Sequence, residues 1–380
     1  MSRHCSLRRP ALILLLFAFV AAAPQLAGRS QAPSDIIAAV KARFAPDTRL
    51  AVFDVKAEPK GTSIELTGEV DNAAARDALL AAFRDAGQAG VADRVAVLPD
   101  AEFAAQPLAI VTVAVAVMKT RPSHASELGN QLLAGMVVKP LKRDGGWCYV
   151  QSLDDRYLGW MESAHLAMVS ARQADAFAGA PRVVVTSVFS LVRERPSADA
   201  PPVSDLVVGD VIETTGHAGA WTAVTMADGR AGFVRRDEVA DYRSWKASRS
   251  PTPQNLEQTA RRFMGVPYLW GGTSARGFDC SGFVKTVFRL NGRELQRDAD
   301  QQSNEGAAVA IDDGLSQLRK GDALFFGPRP GVTRITHTGL YLGDKLFIHC
   351  ASLVKLNSFD PASPLYSKSL LERLVKARRM

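Results

Sequence analysis

The chain has 380 residues, of which 47% are hydrophobic and 22% are charged, and its formal net charge is +7. This composition is typical of a soluble globular protein and excludes a disordered or fibrous chain. At roughly 150 residues per domain, the length predicts two or three domains. Because the sequence has no Lys/Arg block and no basic stripe interleaved with aromatic residues, nucleic acid is excluded as a partner.

The first thirty residues have the layout of a secretory signal peptide. Arg3, Arg8 and Arg9 form a basic start, Ala11 to Ala23 is an apolar run, and small residues follow. A membrane anchor is the competing interpretation, but this run is shorter than the roughly 20 residues that span a bilayer. Residues 1–30 are therefore predicted to direct export to the periplasm, the cell envelope or the medium. The mature chain is expected to be a monomer without a membrane span.

The region 34–100 is predicted to form a small α+β domain with the element order αββαβ. The run Leu66 to Val70 and this order resemble BON-like domains. The expected elements are a helix over Asp35–Phe44, strands over Leu50–Lys56 and Ser63–Val70, a helix ending at Phe83 and a strand over Arg94–Leu98. Because no catalytic constellation occurs in this region, we expect a packing or docking module.

Two segments, 108–172 and 181–245, share one pattern of short strands and Gly/Asp turns, which indicates two small β-barrels. Each contains Arg-Pro, then Gly-Trp or Gly-x-Trp, then Gly followed by an aromatic residue. This repeated pattern resembles bacterial SH3-like domains. The Ser/Pro/Thr-rich residues 246–256 are predicted to be a linker, and 254–380 a further domain.

Cys280 is the strongest candidate nucleophile. A glycine-rich stretch precedes it, and Val284, Val287 and Phe288 follow with helical spacing, which predicts Cys280 in the first turn of a helix. Free N–H groups and the helix dipole at this position favour a thiolate. A buried structural cysteine is the alternative. Three cysteines remain after export, an odd number that argues against a disulfide framework; Cys148 and Cys350 are expected to be packing residues.

A cysteine nucleophile needs a base, and His337 and His349 are its candidates. Both lie in strand-like runs, so neighbouring strands can place His349 where it orients the His337 ring. The remaining histidines of the mature chain, His124, His165 and His217, have no evident partner. A metal site is the weaker alternative, because no C-x-x-C or H-E-x-x-H spacing is present. No metal or cofactor is expected.

The C-terminal domain resembles the NlpC-type cysteine peptidases, whose fold is papain-like. The motifs that carry the likeness occur in the family order: Pro267–Gly272, Phe278–Phe283, Arg297–Gln302, Lys320–Phe326, His337–Gly343 and Phe347–His349. The resemblance implies that Cys280 is the nucleophile, His337 the base and His349 the polar third member. It also implies that Tyr268 lies near the oxyanion site.

The whole arrangement of domains resembles the γ-D-glutamyl-L-diamino-acid endopeptidases of the dipeptidyl-peptidase VI type, which cut murein peptides. The resemblance implies a peptidoglycan-derived substrate with a free N-terminal L-Ala, cut between D-Glu and the diamino acid through a thioester. The substrate-binding residues that it implies are Glu127, Tyr157, Trp270, Asp279 and Ser281. Gln296, where the family often has Pro, and Cys350, at a usually small and unreactive position, depart from the pattern.

Three other functions use the same residues. A lytic endopeptidase would cut stem peptides of intact peptidoglycan and requires an open cleft. A wall-binding module with an inactive catalytic domain is disfavoured because all three triad positions are filled. An acyltransferase would need an apolar groove for its acyl group. The overall expectation is thus a multidomain α+β cysteine peptidase, with a papain-like C-terminal domain behind two SH3-like barrels and an αββαβ domain.

Overall fold

The computed structural model describes residues 31–88 and 90–380, so the predicted signal peptide lies outside the described residues. The described chain is a mostly-β, multidomain protein with three large sheets and one two-stranded sheet after an N-terminal three-stranded sheet. Among these residues, no helix is both long enough and apolar enough to cross a bilayer.

The N-terminal unit packs two helices on a three-stranded sheet. Its strand β2 pairs with β1 in antiparallel and with β3 in parallel orientation. Leu66, Leu79 and Phe83 are fully buried between the layers. The elements are α1 (Pro33–Phe44), β1 (Phe53–Lys60), β2 (Ser63–Val70), α2 (Ala73–Asp85) and β3 (Val91–Val97).

The first predicted strand, Leu50–Lys56, begins too early. The structure starts β1 at Phe53, because the backbone just before it bonds to the next unit instead of to the sheet. The carbonyls of Arg49 and Leu50 accept hydrogen bonds from Leu158 N–H, at 2.8 Å, and from the Gln151 amide, at 2.7 Å. Residues 49–50 therefore belong to a contact between units.

The first β unit is a seven-stranded sheet around a core that includes Met118, Val138 and Val150. Its strand order is β10-β4-β7-β8-β9-β5-β6. The elements are β4 (Leu108–Val111), β5 (Val115–Lys119), β6 (Leu128–Leu133), β7 (Val137–Asp144), β8 (Trp147–Ser152), β9 (Leu158–Glu162) and β10 (Leu166–Val169). Helix α3 (Ala171–Gly179) follows, with a capping box between Ser170 and Gln173.

The second β unit has the same topology as the first. Its sheet order is β13-β12-β16-β15-β14-β11-β17, which places its seven strands in the sequence of neighbours found in the first unit. The elements are β11 (Arg182–Val185), β12 (Phe189–Arg193), β13 (Pro202–Val207), β14 (Val211–Ala218), β15 (Trp221–Thr225), β16 (Ala231–Arg235) and β17 (Val239–Asp241). Val211 N–H donates to Ala134 C=O at 2.9 Å and joins the two units.

The prediction of a linker over 246–256 is wrong at both ends. Helix α4 (Tyr242–Ala247) includes its start, and α5 (Pro253–Arg261) includes its end. Thr252 caps α5 and Pro253 occupies its first turn, so residues that suggested a linker are in fact helix-start signals.

The C-terminal unit packs helix α6 against a six-stranded sheet of order β20-β25-β21-β22-β23-β24. Phe283, Val284 and Val287 of α6 are fully buried against Leu340 and Ile348 of the sheet. The elements after α5 are β18 (Thr273–Ser274), β19 (Gly277–Phe278), α6 (Cys280–Arg289), α7 (Ala299–Gln302), β20 (Ala307–Val309), β21 (Ala323–Phe326), β22 (His337–Gly343), β23 (Leu346–Cys350), β24 (Val354–Ser358), α8 (Lys368–Arg373) and β25 (Leu374–Arg379).

Buried polar contacts attach the first β unit to the C-terminal unit. Thr273 N–H donates to Gln131 Oε1 at 2.9 Å, and Thr273 Oγ1 donates to the Gln131 carbonyl at 2.8 Å. Lys285 of α6 is 6% exposed and forms an ion pair with Asp155 at 3.3 Å. Separating the units would break these buried contacts, which therefore fix the two units in register.

Candidate active site

Cys280 is the first residue of helix α6. Asp279 caps the helix, and its Oδ1 accepts the Gly282 N–H at 2.7 Å. Gly282 lets the helix start approach the preceding loop, because a Cβ there would overlap the Gly272 carbonyl oxygen. The local sequence thus places the thiol at the junction of a tight loop and a buried helix, where it is 8% exposed.

The expectation of a stabilised thiolate needs correction. Burial and the neighbouring Asp279 carboxylate raise the pKa of the Cys280 thiol to about 12, although N–H groups of Thr338 and Ser281 act in the opposite direction. Burial and the neighbouring His349 lower the pKa of His337 to about 3. Desolvation opposes the effect of the helix N-terminus here, so burial favours the neutral thiol and the neutral imidazole.

His337 and His349 lie on the neighbouring strands β22 and β23, and their rings meet. His337 Nε2 is 2.7 Å from His349 Nδ1, and His349 Nε2 is 2.9 Å from Asn357 Oδ1. The Asn357 amide donates its Nδ2–H to the Leu365 carbonyl at 3.0 Å, which fixes Oδ1 as the atom facing His349.

These contacts assign the protons on both rings. Asn357 Oδ1 only accepts, so His349 carries its proton on Nε2 and presents a bare Nδ1. His337 must then donate from Nε2, which leaves its Nδ1 unprotonated. Since Thr338 N–H lies against Cys280 Sγ, strand β22 brings the residue after His337 to the thiol. A neutral His337 with a free Nδ1 has the protonation state of a general base.

The thiol opens on a cleft of about 710 Å³ between the first β unit and the C-terminal unit. The structure brings seven of the nine sequence-predicted site residues to its lining: Glu127, Tyr157, Tyr268, Trp270, Asp279, Cys280 and Ser281. His337 and His349 are not among its lining residues, but Thr336, the residue before His337, is. Within the described residues, the Glu127 carboxylate forms no ion pair, so it remains free to bind a cation.

A glycine brings Glu127 to the cleft. Gly271 adopts a φ of +76°, and a Cβ there would overlap the Leu128 carbonyl oxygen. The active-site loop and the segment Glu127–Leu128 of the first β unit therefore touch backbone to backbone. Trp270, next in the loop, is 62% exposed at the rim, where its ring is open for contact with a ligand.

A buried guanidinium organises the residues that flank Cys280. Arg297 is 1% exposed and donates to both Asp279 oxygens, at 2.5 and 3.2 Å, and to Ser281 Oγ at 3.0 Å. Asp279 also accepts from Gly271 N–H at 3.0 Å. Because Arg297, Gly271 and Gly282 all donate to Asp279, this carboxylate holds the loop and the helix together.

Tyr268 lies beside Cys280. Burial, with the nearby Asp279 carboxylate, raises the pKa of the Tyr268 phenol, so the hydroxyl keeps its proton and remains a hydrogen-bond donor at neutral pH. Cys148 and Cys350 are both fully buried, Cys148 in the core of the first β unit and Cys350 with Sγ donating to the Phe278 carbonyl at 3.1 Å. No group of three or more potential metal ligands occurs among the described residues.

Sequence reasoning missed two contributors. Asn357 orients His349, and Arg49 of the N-terminal unit lines the cleft. Arg297 and Asp298 belonged to a motif of the resemblance, but no role was assigned to them. Nothing in the sequence indicated a role for Asn357, because an asparagine in a strand has no predictable function until its hydrogen-bond partner is known. Arg49 is 249 residues from the Asp298 that it contacts.

Comparison with known proteins agrees with these features. The model of the NlpC/P60 family matches residues 265–379, and that of the bacterial dipeptidyl-peptidase Sh3 domain matches residues 118–166. The chain is 31% identical over 276 residues to dipeptidyl-peptidase 6 of Lysinibacillus sphaericus, across 69% of this chain and 95% of that protein. It is 28% identical over 264 residues to a gamma-D-glutamyl-L-lysine dipeptidyl-peptidase of Bacillus cereus, across 68% of this chain and 76% of that protein.

A solved structure is similar in fold to much of the chain. The crystal structure of an NlpC/P60 family protein from Bacillus cereus superposes with a TM-score of 0.62 at 25% identity. The match covers 72% of this chain and 99% of that one. More than a quarter of this chain therefore has no counterpart in that structure.

Proposed function

The chain belongs to the NlpC/P60 family of cysteine peptidases and carries a bacterial dipeptidyl-peptidase SH3 domain; from this premise we propose that it releases L-Ala-γ-D-Glu from murein peptides with a free N-terminus. The bond cut is the one between the D-Glu γ-carbonyl and the L-diamino acid. The observation that carries the proposal is the shared cleft, in which Cys280 and the unpaired Glu127 carboxylate face the same space.

The proposed reaction starts from a neutral Cys280 thiol and a neutral His337 imidazole. His337 Nδ1 takes the thiol proton as Cys280 Sγ attacks the γ-carbonyl carbon, and the Tyr268 hydroxyl with N–H groups at the start of α6 stabilises the oxyanion. His337 then protonates the departing amine, which leaves a thioester on Cys280. Water, deprotonated by His337, hydrolyses the thioester and frees the dipeptide, and the thiol regains its proton.

His349 and Asn357 keep the base in the correct tautomer. The Asn357 carbonyl fixes the His349 proton on Nε2, and His349 Nδ1 in turn fixes the His337 proton on Nε2. The proton acceptor Nδ1 of His337 is thereby available in every turnover. When His337 takes the proton, the same chain of hydrogen bonds partly stabilises the His337 imidazolium.

The proposed specificity rests on charge. A free N-terminal ammonium carries the charge that the unpaired Glu127 carboxylate requires, and Tyr157 adds a hydroxyl at the same end. A blocked amine carries no charge and would form no ion pair with Glu127. Asp279 and Ser281 flank the nucleophile at this end, and Trp270 offers its exposed ring at the rim.

The remaining units have supporting roles in this proposal. The second β unit, with the strand order of the first, is a further SH3-like barrel, and the N-terminal unit is BON-like. The arginine-led segment 1–30 directs export, and the peptidase works as a monomer in the periplasm, the envelope or the medium. A lytic action on intact peptidoglycan is the second candidate, and it requires stem peptides without a free amine to enter the cleft.

The test is a product analysis by mass. Wild type, Cys280→Ala and the matched control Cys350→Ala are incubated with L-Ala-γ-D-Glu-L-Lys and with intact peptidoglycan. The proposal expects the dipeptide L-Ala-γ-D-Glu from the free peptide with wild type and Cys350→Ala, and none with Cys280→Ala. Equal cleavage by Cys280→Ala contradicts the nucleophile, and faster release of fragments from intact peptidoglycan supports the lytic candidate.

A further inference from the structure

One arginine of the N-terminal unit reaches across the molecule into the cleft. Arg49 Nη1 donates to Asp298 Oδ2 at 2.8 Å, and its two terminal nitrogens contact the two Asp300 oxygens at 2.9 and 2.8 Å. The contact with Asp300 is a bidentate guanidinium–carboxylate pair, the geometry that gives such pairs their directional strength. Arg49 lines the same cleft as Glu127 and Tyr157.

Asp47, two residues before Arg49, holds the Arg49 side chain in place. Asp47 accepts from Arg49 Nε at 2.9 Å and from Nη2 at 2.8 Å, and its Oδ2 also accepts from the Gln301 amide at 2.7 Å. The Arg49 carbonyl accepts the N–H of Leu158, the residue after Tyr157. The guanidinium is therefore pre-positioned by the N-terminal unit, the first β unit and the C-terminal unit together.

Arg49 and Tyr157 share one acceptor. The Tyr157 hydroxyl donates to Asp298 Oδ2 at 3.4 Å, the oxygen that also accepts from Arg49. The proposed function assigns the Tyr157 end of the cleft to the substrate ammonium, so Arg49 lies at that end. Burial raises the pKa of Asp298, while Arg297 and Arg49 lower it, so the guanidinium helps to keep this acceptor ionised.

Three carboxylates surround the one guanidinium of Arg49, so the cluster remains anionic and suits a cation beside it. A mere docking contact would not need to lie in the substrate cleft.

We propose that Arg49 is a specificity-determining positioning residue: it closes the free-amine end of the cleft and holds the Asp298–Tyr157 pair in place. The N-terminal unit thereby limits the substrate to two residues before the bond that is cut. This inference rests on the proposed function, because it assigns the Glu127–Tyr157 end to the substrate ammonium. Without the guanidinium, Asp298 and Asp300 would repel each other and the end of the cleft would open.

The experiment compares Arg49→Ala with Arg49→Lys and with the matched control Arg94→Ala. Arg94 lies in the same unit, is 69% exposed and pairs only with Glu65 in the contacts of its side chain that the structure describes. Steady-state kinetics are measured on L-Ala-γ-D-Glu-L-Lys and on the same peptide extended by one alanine at its N-terminus. A thermal unfolding curve of each variant accompanies the kinetics.

Arg49→Ala is expected to raise KM for the free tripeptide about tenfold, with kcat within about twofold, because positioning and not chemistry is lost. Its preference for the tripeptide over the extended peptide should fall about tenfold, Arg49→Lys should recover part of it, and Arg94→Ala should match wild type. If Arg49→Ala does not fold, Asp300→Asn removes the bidentate partner from the exposed side and is expected to lower the same preference.

Two outcomes overturn the inference in different ways. If wild type releases the dipeptide and Arg49→Ala keeps the KM and the preference of Arg94→Ala, only the role of Arg49 is contradicted. If wild type releases no dipeptide from the free tripeptide, the proposed function fails and the inference fails with it.

Discussion

His337 Nε2 lies 2.7 Å from His349 Nδ1, and this contact decides which nitrogen of His337 is free to accept a proton. Because Asn357 fixes the proton of His349 on Nε2, His337 has to donate from Nε2. Its Nδ1 is then the basic atom. Three residues on the adjacent strands β22, β23 and β24 thus form one hydrogen-bonded chain behind the thiol.

Substitution of Asn357 tests this chain. We expect Asn357→Ala to lower kcat about tenfold with little change in KM, because His349 is free to adopt the tautomer that no longer accepts from His337. Asn357→Asp keeps an acceptor but adds a charge, so the acid limb of kcat/KM should move upward by about one pH unit. Steady-state pH profiles check both, and an Asn357→Ala profile that coincides with wild type would contradict the assignment.

Substitution of His337 should lower kcat more than substitution of His349. His337→Ala removes the base and is expected to lower kcat by about 10³-fold or more, whereas His349→Ala removes only the orienting group and should cost about 10- to 100-fold. His165→Ala, on a short turn outside the cleft, is the control and should retain full activity. Equal losses at positions 337 and 349 would show that the roles are not separated in this way.

Buried neutral imidazoles make stability depend on pH. Burial lowers the pKa of His349, which is 1% exposed, from 6.5 to about 4. Between these values the unfolded chain binds the proton and the folded chain does not, so stability is full above pH 6.5 and is lost as the pH falls toward 4. Replacing His349 with Gln should remove on the order of 1–2 kcal/mol of the stability change between pH 7 and pH 5.

Urea unfolding of wild type and His349→Gln at both pH values measures that change. His217→Gln, on the second β unit, is a suitable control because it removes a histidine that the cleft does not use. Identical pH dependence of wild type and His349→Gln would mean that His349 is not held neutral in the folded protein.

Gly271 should tolerate no side chain. Alanine there meets two costs, the positive φ and the overlap with the Leu128 carbonyl, whereas Gly265→Ala, at a φ of +83° with open space around it, meets only the first. We expect Gly265→Ala to cost about 1 kcal/mol and Gly271→Ala roughly 3 kcal/mol or more. Thermal or urea unfolding separates them, and equal destabilisation would contradict the backbone contact.

The sequence predicted the parts of the site that depend on local pattern. Cys280 follows a capping Asp279 and precedes apolar residues at helical spacing, so its place at a helix start could be derived. The charge state could not, because the burial that raises the thiol pKa comes from residues distant in sequence. The roles of Arg49 and Asn357 could not be predicted for the same reason, since each depends on a hydrogen-bond partner that is brought close only by folding.

The fold shows a similar division. The repeated short strands and Gly/Asp turns predicted two small β units, whereas the seven strands of each unit and their shared order became evident only in the folded chain. The predicted boundaries of two segments were wrong. Residues 49–50 form hydrogen bonds to another unit instead of to the sheet. Thr252-Pro253 starts a helix within a stretch of linker-like composition. Local composition does not distinguish these cases.

Glu127 carries the proposed recognition of the amine. Glu127→Gln keeps the shape and removes the charge, so kcat/KM on the free peptide L-Ala-γ-D-Glu-L-Lys should fall about 10- to 100-fold. The rate on the N-acetylated peptide should stay unchanged, because that peptide has no ammonium to bind. Glu162→Gln, on strand β9 of the same unit but outside the cleft, is the control. A loss that is equal for both peptides would point to a structural role of Glu127.

The most direct measurement is the ratio of kcat/KM for L-Ala-γ-D-Glu-L-Lys to that for its N-acetylated copy, with wild-type protein and the dipeptide product identified by mass. A cleft that places the unpaired Glu127 carboxylate opposite the substrate amine predicts a ratio of about 100 or more, with L-Ala-γ-D-Glu as the product. A ratio near one would contradict the account, because it would mean that the enzyme cuts the peptide without reading its free end.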